Sequence, residues 1–491
     1  MTVQTPLAAP PDEGHPRRTL ILALMAACAT MTVALVAAIN LAVPKLSASS
    51  LHPSSAQLLW IVDAYVIVFA CLLIPAGAFG DRYGRRGALL GGLAVFAAGC
   101  VASALVPDVG ALIAGRAVTG LGAALVMPAS LSLTVQAFPA RLRGQAIASW
   151  TAATGIAGII GNIGGGLVLE YLPWQGLFWA VAPIMLVLLA LCARIAPRSE
   201  RHPADLDVIG CTLVILAFVA LLYGIIEGPE HGWSSGPVLG SFAVSVVVFG
   251  VFTAYALRAA HPLIDPRILT IARLRAGVSG ITVTFFGLFA LFFVNAQYLQ
   301  YVKGFSPLLT GVAIGPLAIG MMLVSRRSVA LAARFGERRI VVTGMLAIAA
   351  GLGLLSTAGA HTPYALYAVF LVLMSVGMGL STPALSTLVI GALPSGRTGL
   401  GSGLNGAARE VGSALGVAVL GTILSTRFTA GLPAGVHART IGQALAGSAP
   451  ETHAGVVSAF THAMAAGYRV IALTVLASAL VVAFWYRPTE K

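Results

Sequence analysis

Charge is what this 491-residue chain has least of. Asp, Glu, Lys and Arg together make up 9% of it, against 58% hydrophobic residues. Soluble domains carry roughly 25% charged residues, because that much surface must face water. A chain this poor in charge cannot cover itself with polar groups, so its outer surface must face lipid, and a soluble enzyme is excluded. In lipid every backbone N–H and C=O needs an internal partner, which leaves helices or closed barrels. The apolar runs are about 20 residues long and continuous, as helices require, not about 10 and alternating.

Cysteine is sparse too. Cys28, Cys71, Cys100, Cys192 and Cys211 lie in or at the edge of apolar runs. None has C-x-x-C spacing, so no metal site is expected and the thiols read as small buried hydrophobes. Nucleotide machinery is missing: the chain has no P-loop lysine motif, Walker pair, nucleophile elbow or H-E-x-x-H. ATP-driven transport and membrane hydrolysis lose their basis, and no cofactor is expected. Gly401-Ser402-Gly403-Leu404-Asn405-Gly406 does match G-x-G-x-x-G, but it enters an apolar helix with no strand before it. Lysine is rare: Arg outnumbers Lys 26 to 3, which with the Ala and Gly richness suggests a GC-rich bacterial genome. The net charge of +13 would suit nucleic acid if it were clustered. The arginines instead recur between apolar runs, so a nucleic-acid partner is rejected. No cleavable signal peptide is expected, because the first apolar run is too long for one.

What is present is fourteen helical runs, near 19–43, 56–79, 87–106, 110–135, 144–168, 175–193, 207–227, 236–257, 277–299, 308–328, 339–359, 363–390, 403–425 and 464–486. Positive charge orients them. With the N-terminus in the cytoplasm, inside segments hold 22 Lys and Arg, Arg326 and Arg327 among them. Outside segments hold four (Lys45, Lys303, Arg427, Arg439), and three lie within helices (Arg116, Arg409, Arg469). One miscounted helix would scramble that bias. Gly77 to Arg86, reading G-x-x-G-D-R-Y-G-R-R, and Ala332-Ala333-Arg334-Phe335-Gly336-Glu337-Arg338-Arg339 both carry Arg-aromatic-Gly before basic residues at a turn. Repeated halves are the plan of many secondary transporters. The expected layout is a disordered cytoplasmic tail (1–18), a six-helix bundle (19–193), a cytoplasmic linker (194–206), two additional central helices (207–257), and a second six-helix bundle (258–486). A long outside loop is expected at 426–462 and a cytoplasmic tail at 487–491.

Ionisable groups inside a bilayer are costly and are functional candidates by default. Asp63 lies about 10 Å from the outer end of run 2, at ~1.5 Å per residue. It reads either as a carboxylate satisfied by a neighbouring Arg or Tyr, or as a site for a proton or cation. Glu410 lies about seven residues into run 13, in roughly 1.5-Å steps from the cytoplasmic side. Arg409 precedes it, but consecutive helix residues point about 100° apart, so the two are no simple pair. Glu410 reads as a structural ion pair or as an exchangeable proton site. Arg116 in run 4 cannot be neutralised and must face a cavity, an acid or backbone carbonyls. Run 5 holds Gly155, Gly158, Gly161, Gly164, Gly165 and Gly166, which permits a close, bendable helix contact. His462 reads as an interfacial histidine.

Together these segments resemble the major facilitator superfamily in its fourteen-span drug:proton antiporter branch. Gly77-Ala78-Phe79-Gly80-Asp81-Arg82-Tyr83-Gly84-Arg85-Arg86 is similar to that superfamily's loop 2–3 motif. Leu112 to Ala124 resembles the run 4 motif, with Thr119 where Gln is usual. Gly161-Asn162-Ile163-Gly164-Gly165-Gly166 resembles the antiporter motif G-P-x-x-G-G, with Asn162 for its Pro. Asn40-Leu41-Ala42-Val43-Pro44 resembles the close of the run 1 motif. Trp60 to Tyr65, Glu170 with Trp174 and Phe178, and Glu410 to Gly416 resemble the subgroup that exports quaternary ammonium compounds and methyl viologen. The resemblance covers nearly the whole chain.

It implies an all-α major facilitator fold of two bundles rocking about a central cavity. It further implies efflux of drugs, antibiotics or organic cations driven by inward proton flow; the alternative is a dedicated exporter of one endogenous metabolite. Asp81, Arg82, Arg85 and Arg86, with Gly77 and Gly84, would form a cytoplasmic latch. Arg116 would assist proton coupling, and Asp63 and Glu410 would be cation or proton sites. Partners would be a hydrophobic or cationic small molecule, protons and the lipid bilayer, with the chain a monomer in the bacterial plasma membrane and both termini cytoplasmic. Leu35 stands where the branch often has an Asp, Asn162 removes a kinking proline, and Ala333 replaces the acid of the second-half latch.

Overall fold

The computed structural model describes residues 14–47, 49–51, 53, 55–197, 207–260, 262–305, 307–393, 398–436, 438 and 441–485, with no strand among them. The helices, in chain order, are α1 (Arg18–Ser47), α2 (Ser55–Tyr83), α3 (Arg85–Ala104), α4 (Val109–Ala137), α5 (Arg143–Gly155), α6 (Ala157–Tyr171), α7 (Gly176–Ile195), α8 (Val208–His231) and α9 (Gly236–Ala256). Then follow α10 (Ala272–Gln297), α11 (Pro307–Ala313), α12 (Gly315–Phe335), α13 (Glu337–Leu355), α14 (Tyr364–Gly391), α15 (Thr398–Gly431), α16 (Ile441–Gly447) and α17 (His453–Trp485). Fourteen stretches are long and apolar enough to cross a membrane, the fifth formed by α5 and α6 and the tenth by the end of α11 and α12.

Two apolar cores form. One gathers Leu93, Phe96, Leu133 and Phe178 from the first six spans. The other gathers Leu291, Met345, Leu352 and Met464 from the last six. The halves repeat each other's pairings: α1–α6 matches α10–α15, α3–α4 matches α13–α14, α2–α4 matches α12–α14, and α3–α7 matches α13–α17. The turns α2–α3 and α12–α13 repeat as well. Each pivots on a single glycine, Gly84 (φ 103°) or Gly336 (φ 93°), in a backbone region that L side chains avoid. Helices α8 and α9 pack on each other, and α8 leans on both α2 and α15. The Asp207 carboxylate fixes their base: it accepts from Gly210 N–H (2.8 Å), Tyr255 O–H (2.7 Å) and Leu263 N–H (2.8 Å).

Three expectations need correction. The loop expected at 426–462 is much shorter, because α15 runs to Gly431 and α17 starts at His453. His453, Ser458, Thr461 and His462 dilute the apolar signal there, yet Val456, Phe460 and Met464 are buried along one helix face. Arg326 and Arg327, expected in a loop, sit exposed in α12. Their aliphatic stems can lie along apolar surface while the guanidinium reaches the helix end. Of the expected tail 1–18, residues 14–17 are seated on the end of α4, with His15 N–H donating to Ala137 O at 2.8 Å. The rest of that tail, linker residues 198–206 and the tail 487–491 lie outside the described residues.

Candidate functional site

The α2–α3 turn carries the first constellation. Gly84 ends the α2 line and lets α3 start at once, which sets Asp81 and Arg85 one helical turn apart, both nearly buried. Asp81 Oδ1 accepts from Arg85 Nε at 2.9 Å. Asp81 Oδ2 accepts from the backbone N–H of Leu400, in the first turn of α15, at 3.1 Å. The carboxylate therefore caps a helix of the other bundle, where the aligned backbone dipoles favour negative charge. Arg86 Nη2 donates to Ala193 O at the end of α7. Arg82 lies over the Tyr83 ring at 5.2 Å, and Gly77 is buried in α2. The related turn behaves differently: Arg273 Nη2 donates to Glu337 Oε2 at 2.9 Å within the second half, and Arg334 lies over Phe335 at 5.2 Å.

Further contacts join the halves at the same end. Gly403 of α15 lies against the Leu73 carbonyl of α2, where an added Cβ would stand 2.6 Å from that oxygen. Ser132 and Ser402 hydroxyls meet at 3.3 Å between α4 and α15. Gly144 of α5 packs on Val329 of α12.

About 27 Å further along α2, at ~1.5 Å per residue, Arg116 forms the second constellation. It is fully buried. Nε donates to Ile61 O at 3.0 Å, and the guanidinium lies over the Tyr65 ring at 4.8 Å. Nη1 and Nη2 have no hydrogen-bond partner among the described residues. Tyr65 in turn donates to Thr32 O at 2.9 Å, so one side-chain chain links α4, α2 and α1. Asp63 lies in α2 two residues beyond Ile61, and its side chain lies outside the described residues.

The third constellation is on α15, and it has two faces. Gly403 and Gly406 meet Leu73 of α2, and Ala414 packs with Ala70 and Leu222 of α2 and α8. Glu410 lies on this side of the helix, half-buried. Arg409 is turned about 100° away, buried, over Phe285 of α10 at 4.3 Å and Trp150 of α5 at 5.9 Å. The charges of Arg409 and Glu410 attract through space, but no hydrogen bond or ion pair joins them. Sequence reasoning noticed Arg409 only as a neighbour of Glu410. The signal for it was the spacing of Ser402, Asn405, Arg409 and Ser413, a helical stripe of polar residues in an apolar run; all four are buried.

The glycine-rich span sits on α1. A Cβ at Gly161 would overlap the Ala34 carbonyl, and one at Gly165 would stand 3.0 Å from Ala38 Cα. Gly412 and Gly416, also four residues apart, press on the Thr282 and Phe286 carbonyls of α10 in the same way. Gly166 and Asn162 are half-buried, and the helix is intact at Asn162. The span breaks earlier, at Ile156 between α5 and α6, and the span that faces it breaks at Ile314 between α11 and α12. These two broken spans pack on each other, α5 on α12 and α6 on α11. Trp174 and Phe178 are buried edge to face at 6.2 Å, while Glu170 is exposed. The expected residues thus lie in separate groups, at the α2–α3 turn, around Arg116, on α15 and along the contact of α6 with α1.

Two pseudo-repeated bundles, an acid crossing between them at one end, and guanidiniums buried within the spans define a multi-pass membrane carrier. Residues 20–417 match the family model described as Major Facilitator Superfamily, and the chain belongs to that family of membrane transporters. It is 34% identical, over 84% of its length and 77% of the relative's, to the tetracenomycin C resistance and export protein of Streptomyces glaucescens. It is 29% identical to the methyl viologen resistance protein SmvA of Salmonella typhimurium, covering 83% of each chain. Its fold resembles the proton:xylose symporter XylE, with a TM-score of 0.62 at 14% identity over 94% of both chains.

Proposed function

We propose that this chain exports small molecules, drugs, antibiotics or organic cations among them, in exchange for protons, by alternating access. The observation that carries this reading is the Asp81 carboxylate of one bundle capping α15 of the other. A packed contact of this kind has two discrete states, made or broken, and so suits a rocking carrier. With both termini in the cytoplasm, the latched end is the cytoplasmic one, and the latch holds the pathway shut there. Breaking it opens the pathway inward, where substrate enters. Re-forming it exposes the substrate outward, where a proton is taken up by Asp63 or Glu410 and carried back. Arg116, fixed on α4 against α2, steadies the Asp63 turn through that cycle. The unit acts as a monomer, since each half supplies the other's latch partner.

A second reading is favoured by the relative named for tetracenomycin C resistance and export: a dedicated exporter of one endogenous compound. The deciding experiment is efflux from an exporter-deficient bacterial host loaded in turn with a panel of cationic and neutral drugs. Extrusion of several unrelated compounds supports the broad reading, extrusion of one supports the dedicated reading, and extrusion of none, with the protein present in the membrane, rejects both.

A further inference from the structure

We infer that the buried stripe Ser402–Asn405–Arg409–Ser413, walled by Trp150 and Phe285, is a seat for a flat aromatic solute carrying an anionic oxygen, a carboxylate or a phenolate. This inference deepens the export reading and names a substrate class for it.

Arg409 is 8% exposed, and its guanidinium is held against two ring faces, Phe285 at 4.3 Å and Trp150 at 5.9 Å. A desolvated ion loses several kcal/mol of hydration. A ring face returns only about 2 kcal/mol to a desolvated cation. Phe285 and Trp150 therefore leave the charge under-compensated, with five N–H donors in a planar fork that suits a paired anionic oxygen. Glu410 attracts that charge only through space, since it lies on the face of α15 turned to α2 and α8. Asn405, one turn before Arg409 on the same face, is also buried; its Oδ1 has no partner among the described residues and, as an acceptor, takes an N–H or O–H of the solute, not its anionic oxygen. Ser413 is occupied by the Arg409 carbonyl, to which its hydroxyl donates at 2.7 Å, so it does not compete for the guanidinium.

The walls explain the flat aromatic body. Phe285 already holds the planar guanidinium at 4.3 Å, and Trp150 is steadied from behind by its Nε1 donating to Ser130 Oγ at 3.2 Å. An aromatic solute can enter between these rings and place its oxygens on the guanidinium edge. Trp150 belongs to the first half and Phe285 to the second, so rocking opens and closes this seat. α15 then separates two chemistries: the anionic group binds on the stripe, and the neighbouring face, about 100° round the helix, keeps Glu410 for a proton or for a cationic part of the solute.

The test uses the full chain in lipid nanodiscs and three anthracene probes that differ in one substituent: 9-carboxylate, 9-carboxamide and 9-methyl-trimethylammonium. Wild type is expected to bind the carboxylate at least tenfold more tightly than the carboxamide. Arg409→Gln should erase that preference while leaving carboxamide binding within twofold, and Arg409→Lys, which keeps the charge but loses the fork, should retain part of it. Phe285→Ala should weaken all three. If wild type shows no preference for the carboxylate, or Arg409→Gln keeps it, the inference is overturned. Should Arg409→Gln not fold, the Arg409→Lys comparison decides: an unchanged preference overturns the fork, a reduced one supports it. Gradient-driven uptake of the same probes into everted vesicles separates the two levels. Uptake without charge preference rejects the seat and keeps export; an Arg409-dependent preference in binding without uptake keeps the seat and rejects export.

Discussion

Asp81 and Leu400, 319 positions apart in the chain, are joined by a single hydrogen bond from the α15 backbone to the α2 carboxylate, at 3.1 Å. The same carboxylate holds Arg85 at 2.9 Å with its other oxygen. One acid thus binds its own turn and the other bundle together.

Asp81→Asn keeps the shape but removes the charge and turns one acceptor into a donor. Hydrogen bonds to charged groups are worth about 1.5–3 kcal/mol, which is roughly 10- to 150-fold in the balance between latched and open states. Efflux should fall at least tenfold at unchanged membrane level. Normal efflux by a well-expressed Asp81→Asn chain would remove the latch from the mechanism.

Arg116→Lys retains a cation but gives up the Nε bond to Ile61 O and the stacked plane on Tyr65. Efflux should drop severely for Lys and for Ala alike, with a stability loss of about 1–3 kcal/mol in the Ala variant. Thermal melts of the purified protein beside efflux assays check this; wild-type activity in Arg116→Lys would show that charge alone suffices.

Gly161→Val and Gly412→Val press a branched side chain into the carbonyls of Ala34 and Thr282. Overpacking costs about 1–3 kcal/mol or more, and these helices meet at the backbone, with little room to yield. Both variants should melt several degrees lower, while Gly158→Ala, where nothing lies within 4 Å, should be neutral. Equal melting of all three would contradict the close-contact assignment.

Transport should collapse when a protonophore dissipates the proton gradient and persist when ATP falls at constant gradient. Accumulation measurements in intact cells distinguish these, and the opposite pattern would exclude proton exchange.

Glu410→Gln and Asp63→Asn should each impair export of permanent cations, since a cation in low dielectric needs a compensating charge. Neutral drugs should be affected through proton exchange alone. Measured drug-induced proton release and cation efflux should separate the roles, Glu410 weighing on the proton and Asp63 on the cation. If both variants keep wild-type values for both, the two acids are structural.

The helix count and the repeated halves were legible because continuous apolar runs and loop arginines are one-dimensional signals. The latch was half legible: Asp81 and Arg85 announced themselves at a glycine turn, but Leu400 did not, since its contribution is a backbone N–H that any residue carries. Arg409 was hidden by its neighbour, because adjacency in sequence suggests partnership whereas a helix turns the two side chains apart. The break at Ile156 was not legible, because glycine density permits bending anywhere along that span, and packing chose the place. The start of α17 was lost to two histidines and two hydroxyl residues that dilute hydropathy without disturbing the buried face.

Helix α8 touches α2 and α15 alike, so it straddles the seam at which the bundles meet through Asp81. On the proposed rocking cycle both bundles would slide along it, and α8, with α9 packed behind it, would keep acyl chains out of that gap. The opposite seam, α5 on α12 and α6 on α11, carries a broken helix on each side. On the same proposal a greasy solute dissolved in a leaflet would face one guarded flank and one that parts, which would make its lateral entry one-sided.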